Sequence, residues 1–545
     1  MEIGSLITGA ITDTLAVSLP LFRVELAIAA TIVLLLLCRM LPVLRNADSA
    51  LIALGGAAFA LWYAWCDLRG LPGAPWTGLE AAGVPARQEL FGGLLVFDSL
   101  TAAIRLLLAG FLVLYVLFTK VSGIPDREDG ADFYTLVLGG ALGMCLMASA
   151  NHLLMVFMAV EMASVPSYAL AAILKGRKAA SEAGLKYAVY GAGAAGIMLY
   201  GISLLAGVTG TCHLPSMAGE LARIVGEGGA GGEVLVLALG GLMLAVGLAF
   251  KLSAVPFHFW CPDVFEGAAA EVGAFLSVAS KAAAVALLLR IAFGLGATDA
   301  AGAAAVAGAG EVRHFMVYVI GLMAAVTCTL GNLAAYGQTN MKRLLAYSTI
   351  AHAGYLMMGA AAAVALMGVS SAGASRAVAA LVFYLATYLF MNLAAFAIVA
   401  LLRNRLRSEE IASYAGLVRT SPGIVVATTV VLVSLIGLPP LAGFVSKFLV
   451  FSSLAEAIKA GAEKPLMLVL LVVGGVNTVI SLFYYLRVLK VMTFDPPPSD
   501  RAGEAIPLVS LPGAVVTAFA VPVVILGLFW SGLYAAAQLA GTFAS

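Results

Sequence analysis

The residues best suited to chemistry in this sequence are lysines inside long apolar runs. Lys251 follows the apolar run 234–249 and lies five residues before Pro256. A lysine inside an apolar membrane helix costs roughly 2.5–3.5 kcal/mol on insertion scales. Pro256 cannot donate a hydrogen bond to the carbonyl of Leu252, so we expect the helix to break about one turn beyond Lys251. A buried cation beside a helix break indicates an ion site, although a lysine whose amine reaches the membrane surface beside an ordinary kink is the alternative.

Two further lysines share this setting. Lys281 lies near the middle of an apolar run, from which its amine could hardly reach the membrane surface. Lys447 lies about two turns beyond a pair of prolines, and these prolines leave the carbonyls of Leu435 and Ile436 without helical partners. A lysine removed from water releases its proton more readily, and a neighbouring charge changes that tendency again. The three lysines are therefore candidates for a proton relay.

Four other ionisable residues lie in or beside apolar runs. Glu161 is in the middle of one, where a carboxylate would hold its proton unless a cation lies nearby. Lys186 begins the next run and is either a boundary lysine or a buried one. His258 and His352 could join a relay because histidine titrates near neutral pH. A membrane histidine can equally be a hydrogen-bonded packing residue.

The composition indicates an all-α polytopic membrane protein. Of the 545 residues 62% are apolar and 11% are charged, against about 25% charged in soluble domains. Apolar runs of about 20 residues recur along the chain, as membrane helices require. The net charge of +1 argues against a nucleic-acid partner. The six cysteines are scattered without a C-x-x-C pair, and there is no glycine-rich nucleotide loop, so we expect no metal or cofactor in this chain.

The hydropathy pattern predicts about fourteen membrane spans. They are 21–41, 49–67, 94–119, 132–150, 152–174, 183–206, 233–259, 268–290, 314–335, 343–366, 377–402, 422–453, 465–489 and 510–535. The first is too long for a signal-peptide core and is taken as a span. Loops after odd-numbered spans hold fifteen Lys and Arg residues and the others eight, which predicts that the odd-numbered loops are cytoplasmic and both termini outside. The longest early loop runs from Arg69 to Gln88.

Spans four to eight and nine to thirteen read as two inverted five-helix repeats. The fourth member of each combines a helix-breaking proline with a lysine, and inverted repeats place broken helices and ion sites at their interface. The chain then divides into three N-terminal spans (1–130), a first repeat (131–295), a second repeat (311–492) and a C-terminal span (505–545). Inversion puts Lys251 toward the cytoplasm, Lys281 at the centre and Lys447 toward the outer face. The alternative is that two proline-containing helices occur by chance.

Several motifs resemble the antiporter-like subunits of respiratory complex I. They are F-K-x-x-x-x-P-F-H-x-W-x-P-D at 250–263, S-x-x-S-K at 277–281, G-N-L-A-A-x-x-Q-T-N-x-K-R-L-L-A-Y-S-x-I-A-H-A-G-Y at 331–355 and G-L-P-P-L-A-G-F-x-x-K at 437–447. The sequence is most similar to the N-type subunits of NADH–quinone oxidoreductase, which are related to the D-type subunits of multisubunit cation/proton antiporters. Lysine rather than glutamate at 447 favours the N type over the M type. The resemblance covers roughly residues 90–495.

The resemblance implies a fourteen-helix subunit that pumps protons while quinone is reduced elsewhere in the complex. It implies that Glu161 tunes Lys251, that Lys186 is the span-six lysine, that Lys281 is the central relay lysine and that Lys447 lies on the exit side. NAD, FMN, iron–sulfur clusters and quinone are then expected in the complex and none of them in this chain. The expected partners are other membrane subunits, lipid and protons, in a bacterial inner membrane. The alternative function is that of a subunit of a Na⁺/H⁺ antiporter without electron transfer. A third possibility is a structural helix bundle that transports nothing.

One stretch departs from the family pattern. Where the family usually has Q-G-A-P-x-P-V, residues 266–272 read E-G-A-A-A-E-V, so two prolines are replaced and Glu266 and Glu271 appear. Glu271 lies in the first turn of span eight, where the helix dipole favours an acid by about 0.3–1 kcal/mol. It is either such an acid at the membrane interface or a group that delivers protons to Lys281, about three turns farther along.

Overall fold

The computed structural model describes residues 11–41, 47–69, 87–125, 129–229, 232–296, 303–498 and 507–544. Most of these residues are helical, which confirms the predicted fold class. The predicted loop from Arg69 to Gln88 lies outside the described residues between 70 and 86. Three of the basic residues counted for orientation, Arg45, Arg127 and Arg501, lie outside them too.

The membrane helices are numbered in chain order, and the two halves of a broken helix share a number. They are α1 (Arg23–Met40), α2 (Ser49–Arg69), α3 (Ser99–Ser122), α4 (Gly130–Ser149), α5 (Leu153–Ala171), α6 (Lys178–Thr209), α7a (Glu233–Leu252), α7b (Trp260–Gly267), α8 (Ala270–Gly296), α9 (Ala303–Ala335), α10 (Met341–Met367), α11 (Ser371–Leu406), α12a (Pro422–Ile436), α12b (Ala442–Ala460), α13 (Lys464–Phe494) and α14 (Leu511–Leu528).

The remaining elements are short. A connecting helix (Leu214–Gly226) joins α6 to α7a, and α15 (Ser531–Gly541) follows α14. Strands β1 (Gln88–Leu90) and β2 (Leu95–Phe97) pair antiparallel before α3. The other helical turns are Thr14–Ser18, Leu19–Leu21, Ile411–Tyr414, Leu417–Thr420 and Thr542–Ala544.

The number of spans agrees approximately with the prediction. Twelve described helices are long and apolar enough to cross a membrane. The segment Ile11–Leu21 and α1 are bent by 81° relative to each other, and counting this pair as one span gives up to thirteen. The predicted twelfth span is α12a and α12b, which are separated by residues 437–441. The predicted end of span seven at residue 259 is wrong, since α7a stops at Leu252 and α7b begins only at Trp260.

Three helices form the interior of the bundle. Within their most apolar windows, α8 is buried completely and α10 and α11 almost completely. A helix that is apolar all round has no polar face to turn outward, so it belongs in the interior. In contrast, α6, α7a, α13 and α14 bury less than half of their most apolar windows, and their outer faces carry large apolar side chains. The buried helices are therefore placed to hold groups away from lipid and water.

Successive helices alternate in direction, so loops gather at two opposite ends of the bundle. The loops that follow odd-numbered helices meet at one end, where Asn340 pairs with Glu410 through a backbone bridge. We call this the odd end. The loops that follow even-numbered helices meet at the other, where His152 pairs with His213 in the same way. We call this the even end.

Candidate functional site: buried lysines at two helix breaks

The first break follows Lys251. The helix α7a ends at Leu252 because Ser253 takes a left-handed conformation with φ 55°. The carbonyl of Leu252, which Pro256 cannot satisfy, accepts a hydrogen bond from Lys281 Nζ at 2.6 Å. The predicted interruption is thus present, and it brings the central lysine of α8 to the end of α7a.

The second break has the same construction. The helix α12a ends at Ile436, and Gly437 continues with φ 90°. The carbonyl of Ile436 accepts a hydrogen bond from Lys447 Nζ at 2.8 Å. The same amine lies 4.3 Å from the centroid of the Tyr355 ring, where the face of the aromatic ring favours a cation. Each break therefore presents a freed carbonyl to a buried lysine.

His352 lies between these two lysines. It is buried in α10, and it interacts electrostatically with both Lys281 and Lys447. Its Nδ1 is 2.7 Å from the hydroxyl oxygen of Tyr384, and the backbone of Leu435, beside the second break, forms a hydrogen bond with it. The histidine is thus both hydrogen-bonded and placed to link the two breaks.

Lys251 has a different environment. Its side chain is buried, and its amine has no hydrogen-bond partner in the described part of the chain. Glu161, which is half-buried in α5, interacts with it electrostatically without a direct ion pair. A buried polar group without a partner in a folded protein calls for an explanation such as an ordered water or a functional role. The structure thus places Glu161, Lys251, Lys281, His352 and Lys447 in one group around the two breaks.

Lys186 and His258 are not part of this group. The Lys186 amine is at the odd end, where it pairs with Glu182 at 2.7 Å and Asp263 at 2.8 Å, and its side chain is 39% exposed. This agrees with the boundary alternative for Lys186. His258 lies within the first break, partly exposed and packed on the ring of Phe259. No contact joins either residue directly to the buried lysines within the described residues.

Glu271 lies in the first turn of α8, as predicted, but it is not exposed at the end of the helix. Its side chain is fully buried in the first turn of α8. Both of its carboxylate oxygens accept hydrogen bonds from Arg403, at 3.1 and 3.2 Å. Sequence inspection could not find this pair because its members are 132 residues apart.

Sequence reasoning also missed two tyrosines of the site. Tyr384 is the partner of His352, and Tyr355 lies under the Lys447 amine. Both lie in apolar helices, where a tyrosine is normally interpreted as a packing residue. A signal was present in Tyr355, three residues after His352 on the same helix, because residues at that spacing share a helix face.

The geometry is suited to moving protons. A lysine amine can hold or release one proton, and a backbone carbonyl accepts a hydrogen bond from either form. Inside a membrane two like charges interact strongly, since the low dielectric constant screens them poorly. A proton that reaches one lysine therefore favours the departure of a proton from the next.

Comparisons with known proteins identify the family of the chain. Residues 150–481 match the family described as NADH:quinone oxidoreductase/Mrp antiporter, transmembrane. The chain is 40% identical over 523 residues to the NADH-quinone oxidoreductase subunit N 2 of Sorangium cellulosum, covering 95% of this chain and 96% of that one.

Solved structures have the same fold. A chain of respiratory complex I from Thermus thermophilus with bound aureothin superposes with a TM-score of 0.69 at 32% identity, covering 94% of this chain and 98% of that one. A chain of the Mrp complex from Dietzia sp. gives a TM-score of 0.69 at 20% identity, covering 98% and 97%. The likeness to the Mrp chain concerns the fold alone.

Buried lysines at two helix breaks, in a bundle of this fold, define the class of antiporter-like membrane subunits. Within that class the 40% identity over nearly the whole chain is to a subunit N of NADH-quinone oxidoreductase. The chain belongs to the family of N subunits of NADH-quinone oxidoreductase, which are membrane subunits of a respiratory complex.

Proposed function

We propose that this chain carries protons across the membrane through Lys251, Lys281, His352 and Lys447 while other subunits of an NADH–quinone oxidoreductase reduce quinone. The observation that supports it most is the repeated construction of the two breaks. At each break a freed carbonyl accepts a hydrogen bond from a buried lysine, Leu252 from Lys281 and Ile436 from Lys447. A fold without transport would have no need for two such costly amines in its interior.

The transfer is a series of proton exchanges between neighbouring groups. Glu161 stabilises the protonated form of Lys251 through its negative charge. When Lys251 gives up its proton, the neutral amine of Lys281 receives it, and the new charge on Lys281 disfavours a proton on Lys447. His352, hydrogen-bonded to Tyr384, lies between the last two and can accept and pass on one proton.

The direction follows from the charge of the loops. We place the odd end in the cytoplasm of a bacterial cell and both termini outside, because basic residues concentrate in loops that stay inside. Protons then enter near Lys251 and leave beyond Lys447. NAD, FMN, iron–sulfur clusters and the quinone site belong in this proposal to partner subunits, and lipid surrounds the outer helices.

Replacement of Lys281 by alanine tests the proposal. Lys281→Ala removes the amine that donates to the freed carbonyl of the first break, so proton pumping in reconstituted vesicles should fall at least about tenfold. Lys251→Ala should do the same with assembly largely retained. Lys459→Ala, which removes an exposed lysine near the end of α12b, is the matched control. Normal pumping by both buried-lysine variants would rule out the relay.

A further inference from the structure

The junction of α7b and α8, residues 266–271, consists of the end of α7b, a two-residue turn and the start of α8, and it joins the first break to the helix that carries Lys281. We call this junction the elbow. Because α8 begins at the elbow, its position decides whether the Lys281 amine reaches the carbonyl of Leu252. The contacts that fix the position of the elbow therefore affect the proton relay.

The elbow is held by cations from the second half of the chain. Arg403, at the end of α11, donates two hydrogen bonds to Glu271. Lys342, at the start of α10, donates to the carbonyl of Ala268 at 2.7 Å and pairs with Glu409 at 2.8 Å.

A third cation holds the helix that leads into the elbow. Arg343, next to Lys342, pairs with Glu266 at 2.6 Å and with Asp263 at 2.8 Å. Asp263 in turn accepts a hydrogen bond from Lys186 of α6 at 2.8 Å. Thus Glu266 and Glu271, the two acids of the elbow, are each paired with an arginine from the second half.

These contacts are not a by-product of helix propensity. Lys342 and Arg343 lie in the first turn of α10, where the helix dipole disfavours cations. Glu271 is fully buried, and a buried charge is tolerated only when a partner satisfies its hydrogen bonds. The positions of Lys342, Arg343 and Glu271 are explained by the contacts that fix the elbow.

We propose that Glu271 and Arg403 are positioning residues that fix the elbow so that Lys281 meets the end of α7a. This inference rests on the proposed proton relay. Through this pair, with Lys342 and Arg343, the second half of the chain sets the geometry of the first break.

The alternative role of Glu271, delivery of protons to Lys281, has less support. The residues that follow it on the same face of α8, Phe275 and Val278, are apolar and buried. Besides Arg403, the charged or titratable groups that act on it are Lys342 of α10 and Tyr115 of α3. Its two oxygens are occupied by Arg403.

Two variants of the assembled complex separate positioning from proton delivery. Glu271→Gln leaves the Arg403 guanidinium, which is only 12% exposed, without its carboxylate partner, so turnover and pumping per assembled complex should fall roughly 3- to 10-fold. Replacing both partners, Glu271→Met with Arg403→Met, exchanges the ion pair for apolar packing and should restore most of the activity. The restored variant should show the pH profile of the wild type. Arg405→Met, an exposed arginine two residues along, is the control.

A third variant changes the elbow without altering any charge. Ala269→Pro should be tolerated, because Ala268 is extended with ψ 168° as a residue before proline must be, and it should raise the activity of Glu271→Gln. Wild-type turnover in Glu271→Gln would overturn the proposal. So would a paired methionine variant as inactive as Glu271→Gln, because a titratable carboxyl would then be required. If instead Lys281→Ala pumps normally, the proposed relay fails, whatever the elbow variants do.

Discussion

The two lysines that meet the helix breaks are stabilised by backbone carbonyls rather than by carboxylates. Lys281 and Lys447 each donate to a carbonyl that a helix break has freed, at 2.6 and 2.8 Å. A carboxylate partner would hold the proton on the amine by its full charge. A carbonyl offers only a dipole, so the amine can lose its proton without leaving an unpaired anion behind. This suits a group that must exchange protons.

Position 447 tests whether any titratable group suffices at the second break. Lys447→Glu retains an exchangeable proton there, and partial pumping is expected because a protonated carboxyl can donate to the carbonyl of Ile436. Lys447→Ala retains none and should lower pumping at least about tenfold. Proton uptake by reconstituted vesicles measures both. Equal activity of the two variants would show that no titratable group is needed at this position.

Glu161 acts on Lys251 at a distance, so its replacement should be milder. Glu161→Gln removes the charge that favours the protonated lysine and should slow turnover roughly 2- to 10-fold, less than Lys251→Ala does. Glu161→Asp keeps the charge on a shorter side chain and should fall between. Turnover of the three variants, normalised to assembled complex, gives the order. A fully active Glu161→Gln would remove Glu161 from the relay.

At the scale of elements, the breaks work because a single residue at each takes a left-handed conformation. Gly437 at φ 90° ends α12a, and a Cβ built there would lie 2.8 Å from Cδ of Lys447. The glycine therefore has two roles, since it turns the chain and it leaves room for the lysine stem that reaches Ile436.

Gly437→Ala should impair transport through that second role. The left-handed conformation costs a side chain about 1–2 kcal/mol, and the added methyl group must also displace Lys447. We expect assembled complex with pumping lowered roughly 3- to 10-fold. Gly461→Ala is a matched control, because Gly461 has φ 78° and nothing within 4 Å of the added carbon. If both variants pump equally well, the contact with Lys447 has no consequence.

On the scale of the whole molecule, buried ion pairs join parts of the chain that are far apart in sequence. At the even end Arg290 of α8 pairs with Asp98, which precedes α3, and also donates to Thr101 and the carbonyl of Ala148. Burial tends to raise the pKa of Asp98, but the guanidinium of Arg290 and its hydrogen bonds outweigh burial and hold it below its usual value. The pair ties the N-terminal helices to the interior helix α8.

Asp98→Asn should destabilise the protein, since it leaves the charge of Arg290 buried and unpaired. The expected loss in free energy of unfolding is about 3–5 kcal/mol. Because the pKa of Asp98 is lowered by folding, the stabilisation is complete above its unfolded pKa of about 3.9 and is lost as pH falls through the lower folded pKa. Thermal unfolding in detergent at several pH values measures this.

The control is Asp48→Asn, which breaks the exposed pair with Lys120. Water and salt screen that pair, so its loss should change stability by about 0–1 kcal/mol although the Lys120 hydrogen bond also lowers the pKa of Asp48. Equal destabilisation by the two variants would contradict the view that burial makes the Asp98 pair important.

The sequence by itself determined the class of protein, because apolar runs of membrane length and the few charges inside them are local features. It also placed the proline breaks and the carbonyls that they free, since a proline acts on the residues just before it. Only the tertiary structure decided which side chain donates a hydrogen bond to each freed carbonyl. Lys281 and Leu252 are 29 residues apart, and His352 and Tyr384 are 32 apart. The burial of Glu271 against Arg403 likewise depends on packing between distant helices, which no local pattern records.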